Sequence, residues 1–256
     1  MMKTPNLQLI HGDSLEVMRG MADNSVDLIL TDPPYYSTAL KFDQTAHIDF
    51  KAWLHECRRI LKPTGVLVSF ADFNLLAELR ESKVFKTQYE LVWHKSMATG
   101  FLDANIRPLR AHEFIGIFTQ ALKKSTYNPQ KTTGDSYIRS QPANRMRHTN
   151  QMRSSITVNT GEYHPHSVQK FKRDPVRKQH PTQKPLALCG WLINTYSNPG
   201  DTVFDGFMGS GSTGVAALKL NRRFIGVELD QTYFDSAQVR CAQQPVGAEN
   251  FLPLPV

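Results

Sequence analysis

Three cysteines, Cys57, Cys189 and Cys241, are all that the 256-residue chain contains, an odd number and far apart in sequence. That excludes a disulfide framework and gives zinc no closely spaced ligand set. No apolar run approaches the roughly eighteen residues that a membrane-spanning helix needs. The first nine residues lack a basic stretch followed by an apolar one, so no secretory signal is expected and the cytoplasm is the expected compartment. Glycine and proline number 15 each and charged residues make up 21%, which rules out collagen-like and globally disordered chains. The length and the 40% apolar content suit one large α/β domain, or such a core with one insertion.

Acidic residues are scarce in one region. Between positions 122 and 178 stand twelve Lys or Arg and three acids (Asp135, Glu162, Asp174), a net of +9 that leaves −2 for the rest of a chain totalling +7. A nearly neutral body with one basic segment is the footprint expected of a phosphate-binding insert, although an isolated charge run is more often a solvated loop. His164 and His166 lie there with no Cys or acid at metal-ligand spacing, so no metal site is expected.

Outside that segment, short apolar runs alternate with helical periods. Strands are expected at 7–11, 26–31, 66–70, 88–94, 114–119, 202–205 and 224–228. Helices are expected from Ser14 as cap, after Asp49 as cap, over 73–81, from Pro185 as first residue, and near 212–220 and 231–243. About seven strands interleaved with helices make a doubly wound sheet. Residues 120–179 are expected to be an inserted, mostly irregular region between the core halves 1–119 and 180–256, ending in a surface tail.

The run Val203-Phe204-Asp205-Gly206-Phe207-Met208-Gly209-Ser210-Gly211-Ser212-Thr213-Gly214 sits between a strand and a helix. Gly209, Gly211 and Gly214 have the G-x-G-x-x-G spacing, and Glu228 ends the next strand. Glycines permit a tight turn and close ligand approach, and a strand-end carboxylate can accept ribose hydroxyls, although many strand–helix corners hold glycines for packing alone. Asp205 would repel a phosphate but could hold an ammonium. These features favour S-adenosylmethionine over a nicotinamide dinucleotide.

Thr31-Asp32-Pro33-Pro34-Tyr35-Tyr36 follows the 26–31 strand directly. Consecutive prolines leave carbonyls that no continuing helix consumes. Asp32 and the Pro33 carbonyl could each accept an amino N–H of a planar base, aiming the nitrogen lone pair at an electrophilic methyl group, with Tyr35 stacked on the base. Alone, the tetrapeptide could equally be a proline-rich turn.

Together these residues resemble the DNA amino-methyltransferases that act on adenine N6 or cytosine N4. Asp32-Pro33-Pro34-Tyr35 resembles their catalytic motif, and 204–211 their F-x-G-x-G cofactor motif. His180-Pro181-Thr182-Gln183-Lys184-Pro185 resembles the segment that closes over the methionine end, and Asp13 the acid at the cofactor adenine. Trp93-His94-Lys95 and His112-Glu113 resemble framework strands beside the target pocket. The order, catalytic motif first, resembles the β-type permuted subgroup and covers about residues 7–119 and 180–243.

The resemblance implies a Rossmann-like methyltransferase fold with an inserted recognition region. Asp13, Thr182, Lys184, Asp205, Phe207, Gly209, Gly211, Thr213 and Glu228 would serve S-adenosylmethionine. Arg139, Arg145, Arg147, Arg153, Lys170, Lys172 and Arg173 would grip double-stranded DNA around a flipped base. Asp at the first motif position favours adenine; cytosine N4 is the alternative, with a catalytically silent DNA-binding protein as the reading from another class. An RNA or protein-amide methyltransferase would usually carry Asn there and place its cofactor loop first. No Pro-Cys motif supports cytosine C5 chemistry. A homodimer, a cognate restriction endonuclease and a restriction–modification role stay open at this level.

Overall fold

The almost wholly apolar run Val26–Thr31 (β3) is a central strand buried on both faces. The computed structural model describes residues 2–35, 48–145, 152–174 and 183–244. In chain order its strands are β1 Met2–Thr4, β2 Leu7–His11, β3, β4 Leu61–Ala71, β5 Thr87–Thr99, β6 Arg110–Thr119, β7 Thr132–Thr133, β8 Tyr137–Arg145, β9 Met152–Asn159, β10 Glu162–Tyr163, β11 Val168–Phe171, β12 Thr202–Asp205 and β13 Arg223–Glu228. The helices are α1 Ser14–Arg19, α2 Phe50–Ile60, α3 Phe73–Glu81, α4 Leu186–Tyr196, α5 Ser212–Lys219 and α6 Gln231–Ala242.

Nine strands form the main sheet in the order β1-β2-β13-β12-β3-β4-β6-β5-β11. From β2 to β4 every neighbour is parallel. β6 runs antiparallel between β4 and β5. Leu28 and Leu30 of β3 pack with α4, α5 and α6 in one buried cluster, whereas Ile29 joins the cluster of α1, α2 and α3 on the other face. Burial on both faces explains why β3 and β4 read as continuous apolar runs rather than alternating ones. Each fully buried Leu or Ile contributes roughly 1.5–3 kcal/mol through removal from water. Among the described residues no helix is long and apolar enough to cross a membrane.

The fold class expected from the sequence is the one observed, with differences of detail. In the main sheet two described strands go beyond those expected: β1, which pairs antiparallel with β2 across a short turn, and β11, which adds in parallel to β5. Both are edge strands with only one face to bury, so their apolar signal is weak. The cap of α1 is Asp13, whose carboxylate accepts the Glu16 N–H at 3.0 Å, and Ser14 is the first helical residue. Pro185 stands in the cap position of α4 rather than its first turn.

The segment 120–179 also differs from the irregular region expected. Pro129–His166 is a compact unit of its own, while Ser167 onward belongs to the larger unit, which includes β11. Within the smaller unit β8 and β9 form an antiparallel ladder, with Ile138 opposite Val158 and Ser140 opposite Ile156, and β7 pairs with β10. The alternation of Ile138, Ile156 and Val158 with polar residues is a strand signal, diluted by the polarity around it.

Candidate active site

The order of the sheet reverses direction at one seam. From β3 the chain moves to β4 on one side, and from β12 it moves to β13 on the other, with β3 and β12 adjacent. In open α/β sheets such a switch point opens a crevice outside the carboxyl ends of the strands. Four neighbouring parallel strands deliver carboxylates to that edge: Asp13 after β2, Glu228 on β13, Asp205 on β12 and Asp32 after β3. Three strand spacings put the outer two about 14 Å apart across the sheet.

Asp205 is almost fully buried and is held by protein donors. Its Oδ1 accepts the Thr31 hydroxyl at 2.7 Å and the Phe207 N–H at 3.0 Å, and the Thr213 hydroxyl also bonds to its carboxylate. Burial raises its pKa to about 7, against the pull of those donors. Glu228 accepts the Gly209 N–H on one oxygen and the Asp230 N–H on the other, both at 2.8 Å. It therefore ties the glycine-rich turn to β13, and burial pushes its pKa upward. Gly211 caps α5 with φ +80°, a left-handed conformation that a side chain would strain, and a Cβ there would stand 3.1 Å from Ala237.

Arg240 of α6 holds the same turn. Its Nη1 donates to the Ser210 carbonyl at 2.6 Å and to Ser210 Oγ at 2.8 Å. The Phe207 ring packs against Trp53 with centroids 5.8 Å apart. Beside the turn, Ser14 Oγ is buried and has no hydrogen-bond partner among the described residues. A Cβ on Gly206 would lie 2.3 Å from it, so the glycine leaves that hydroxyl its space.

Asp32 anchors a second group of charges. Its Oδ1 accepts the Tyr35 hydroxyl at 2.5 Å, and its Oδ2 accepts Lys184 Nζ at 2.5 Å. Lys184 Nζ also lies 3.4 Å from Glu113 Oε2, and Glu113 Oε1 accepts Lys95 Nζ at 3.1 Å. Glu113 comes from β6, Lys95 from β5 and Lys184 from the segment just before α4, so three parts of the chain converge on the motif after β3. The two carboxylates keep Lys184 protonated despite its burial, while the two ammonium groups hold Glu113 below the usual carboxylate range. At Asp32 burial outweighs Lys184 and raises the pKa.

The residues singled out from sequence therefore fall into three groups. Asp13, Asp205, Phe207, Gly209, Gly211, Thr213 and Glu228 gather around the glycine-rich turn and its strand edge. Asp32, Pro33, Pro34 and Tyr35 stand at the adjacent strand end, and Lys184 contacts Asp32 rather than that turn. Among the basic residues, Arg139 is exposed on β8, and Lys170 and Lys172 are exposed on and just after β11. Arg173 is half-buried, and its charge adds to the burial that lowers the pKa of Lys95. Arg145 and Arg153 lie on β8 and β9, where Asn144 pairs with Arg153 and Arg145 with Met152. Thr182, Arg147 and the tail after Gln244 lie outside the described residues.

Arg240 is not among the residues the sequence points to, although an arginine next to buried Ala237 and Cys241 on a helix is a signal for a buried role. Lys95 and Glu113 lie inside segments singled out from sequence, but the meeting of Lys95 with Glu113 depends on the β5–β6 pairing, which sets Trp93 opposite Glu113.

Comparison with known proteins identifies the family and the fold. A family model described as DNA methylase matches residues 26–239. The Type II methyltransferase M.HpaI of Haemophilus parainfluenzae is 33% identical, covering 91% of this chain and 73% of its own length. The M1.HpyAVI–SAM complex superposes with a TM-score of 0.61 at 26% identity, over 91% of this chain and 99% of that one. PvuII DNA methyltransferase, cytosine-N4-specific, shares the fold at TM-score 0.68 and 17% identity, over 97% and 90% of the two chains. The chain belongs to the DNA methylase family, whose members are S-adenosylmethionine-dependent methyltransferases of adenine N6 or cytosine N4.

Proposed function

We propose that this protein methylates the exocyclic amino nitrogen of a flipped base in double-stranded DNA, adenine N6, with S-adenosylmethionine as methyl donor. The observation that carries the reading is the placement of Asp32 and Asp205 on either side of the switch-point seam, joined through Thr31.

The donor set fits the cofactor. A row of carboxylates with one lysine among them calls for a cation, and the methionine end of S-adenosylmethionine bears an ammonium and a sulfonium. Asp205 would hold the ammonium once ionised, while Glu228 and Asp13 each keep lone pairs free for hydroxyl and amino donors. The buried Ser14 hydroxyl, unpartnered among the described residues, suits a polar ligand atom at the same turn. When bound, S-adenosylmethionine supplies a methyl group on positively charged sulfur, which leaves as the neutral thioether.

Asp32 and the Pro33 carbonyl accept the two amino N–H bonds of the target base. That localises the nitrogen lone pair and orients it toward the cofactor side of the seam. Asp32 also stabilises the positive charge that develops on nitrogen, and after the new N–C bond has formed it accepts the proton and passes it to solvent. Tyr35 offers its ring to the base while its hydroxyl steadies Asp32. The exposed Arg139, Lys170 and Lys172 supply phosphate contacts. Asp at the head of the motif supports adenine, and similarity to a Type II methyltransferase supports a role in restriction–modification.

The test is methyl transfer from labelled S-adenosylmethionine to unmethylated duplex DNA, followed by mass spectrometry of the nucleosides. N6-methyladenine is expected. N4-methylcytosine would overturn the choice of base and keep the mechanism, and no methylated nucleoside with cofactor bound would reject the catalytic reading.

A further inference from the structure

Both oxygens of Asp32 are taken in the protein alone, one by Tyr35 and the other by Lys184. Tyr35 is a neutral donor and can share its acceptor. Lys184 is different, because its ammonium stands where a target amino group must place its N–H. It also puts a fixed positive charge beside a nitrogen that becomes positive during transfer. In a site from which water is withdrawn, such a like charge opposes the reaction.

The same structure contains an alternative acceptor. Glu113 Oε2 is buried, makes no hydrogen bond among the described residues, and lies 3.4 Å from Lys184 Nζ. A shift of about half an ångström would turn that contact into a charge-assisted hydrogen bond of ordinary length, and a further swing of roughly an ångström away from Asp32 on the same side-chain torsions completes its release. Lys184 keeps 9% of its side chain exposed and Glu113 15%, so the exchange takes place out of bulk water. The group of Asp32, Glu113, Lys95 and Lys184 carries two charges of each sign, and the shift leaves that balance unchanged. The Phe70 ring, 4.9 Å from Nζ, lines the site with a face that favours the cation.

We propose that Lys184 is a positioning residue that passes from Asp32 to Glu113 when the target amino group arrives, and that Glu113 is the built-in receiver. Lys184 thus favours the ionised form of Asp32 against its burial, orients it in the resting protein and gives it up to substrate. The inference rests on the reading of Asp32 as acceptor of the target amine. Glu113, on β6, touches neither cofactor nor base in this scheme and acts only through Lys184.

The experiment measures single-turnover methyl transfer to an amplified, unmethylated duplex several kilobases long. It compares wild type, Glu113→Gln, Lys184→Met and the double variant. Glu113→Gln strands Lys184 on Asp32, so transfer should slow at least tenfold while cofactor and duplex affinities change less than about threefold. The double variant should recover most of that loss, because Asp32 no longer has a cation to hand over. A double variant no faster than Glu113→Gln would overturn the proposal, since a merely structural Glu113 predicts additive damage. Should Glu113→Gln fail to fold with Lys95 unpaired, Glu113→Asp keeps the charge and withdraws it by one methylene. The same slowing and the same recovery with Lys184→Met are then expected.

A second readout needs no turnover. In protein labelled with ¹³C at lysine Cε, the Lys184 signal is assigned by its loss in Lys184→Met. In Asp32→Ala it should stay protonated to high pH, held by Glu113 alone, and should titrate lower in Asp32→Ala/Glu113→Gln. An equally lowered titration in Asp32→Ala itself would show that Glu113 does not receive the ammonium. Wild-type protein that transfers no methyl group to DNA would reject the function, and this titration would still decide whether Glu113 can hold Lys184.

Discussion

Thr31 donates its hydroxyl to the Asp205 carboxylate at 2.7 Å, joining the residue before Asp32 to the residue that opens the glycine-rich turn 174 positions later. Both side chains are buried, and the bond crosses the seam between β3 and β12. Thr31→Val preserves the shape and removes the donor, leaving a buried carboxylate short of one partner. A loss of about 1–3 kcal/mol is expected, with Thr31→Ser close to wild type. Urea unfolding of the three proteins at pH 8, where Asp205 is ionised, checks this.

The raised pKa of Asp205, about 7 against an ordinary 3.8, gives two opposite pH dependences. Between those values the folded protein holds a proton that the unfolded chain has released. Stability of the ligand-free protein should therefore fall as pH rises from about 4 to about 7 and then level off. Cofactor affinity should rise over the upper part of that range, because the ammonium needs the ionised carboxylate. Denaturation and calorimetric binding at pH 5, 6, 7 and 8 measure both. Asp205→Asn should remove the affinity slope and reduce the stability slope, to which the raised pKa values of Asp32 and Glu228 also contribute, and slopes unchanged in that variant would assign them to another group.

Arg240 spans from α6 to the Ser210 carbonyl and hydroxyl, so it helps to set the shape of the turn. Arg240→Leu should weaken cofactor binding by about tenfold and cost about 1–3 kcal/mol, in keeping with hydrogen bonds to a charged group. Unchanged affinity in a destabilised variant would limit Arg240 to a packing role.

Asp32→Ala should lower methyl transfer by a factor of about 10² to 10³, the scale on which a single electrostatic partner of a transition state acts. Cofactor should still bind, because Asp205 and Glu228 remain. Turnover near wild type would sink the assignment of Asp32.

DNA affinity should fall steeply with salt, since each phosphate contact releases counterions and log K declines by about 0.9 per contact in log salt. Replacing Arg139 or Lys172 by Gln should flatten that slope by about one contact each and weaken unrelated sequences alike. A salt response that stays flat in the wild type would reject the basic residues as the grip.

Much of the core is legible in the amino-acid sequence, because burial on both faces writes itself as unbroken apolar runs such as 26–31 and 66–70. Caps are legible where a short polar side chain precedes such a run, as at Asp49, which accepts the Ala52 N–H at 2.9 Å. At α1 two adjacent residues, Asp13 and Ser14, can each serve by type, and the local pattern does not choose between them. The hairpin of β8 and β9 is hidden because Ile138, Ile156 and Val158 are few and exposed in a polar stretch. β11 is hidden for a related reason: a four-residue edge strand needs only Gln169 and Phe171 on its buried face.

By itself, the sequence determined the chemistry available to this protein: a strand followed by Asp-Pro-Pro-Tyr, a strand followed by a glycine-rich turn, and a region of +9 net charge between them. Those features are local, set by side-chain type and backbone preference within a few residues. The tertiary structure decided which of them meet. Strand order placed β3 beside β12, and so Asp32 beside the turn; the β5–β6 pairing brought Lys95 to Glu113, which meets Lys184. Contacts between residues more than 100 positions apart depend on the whole sheet folding as one, and no short window of sequence holds that information.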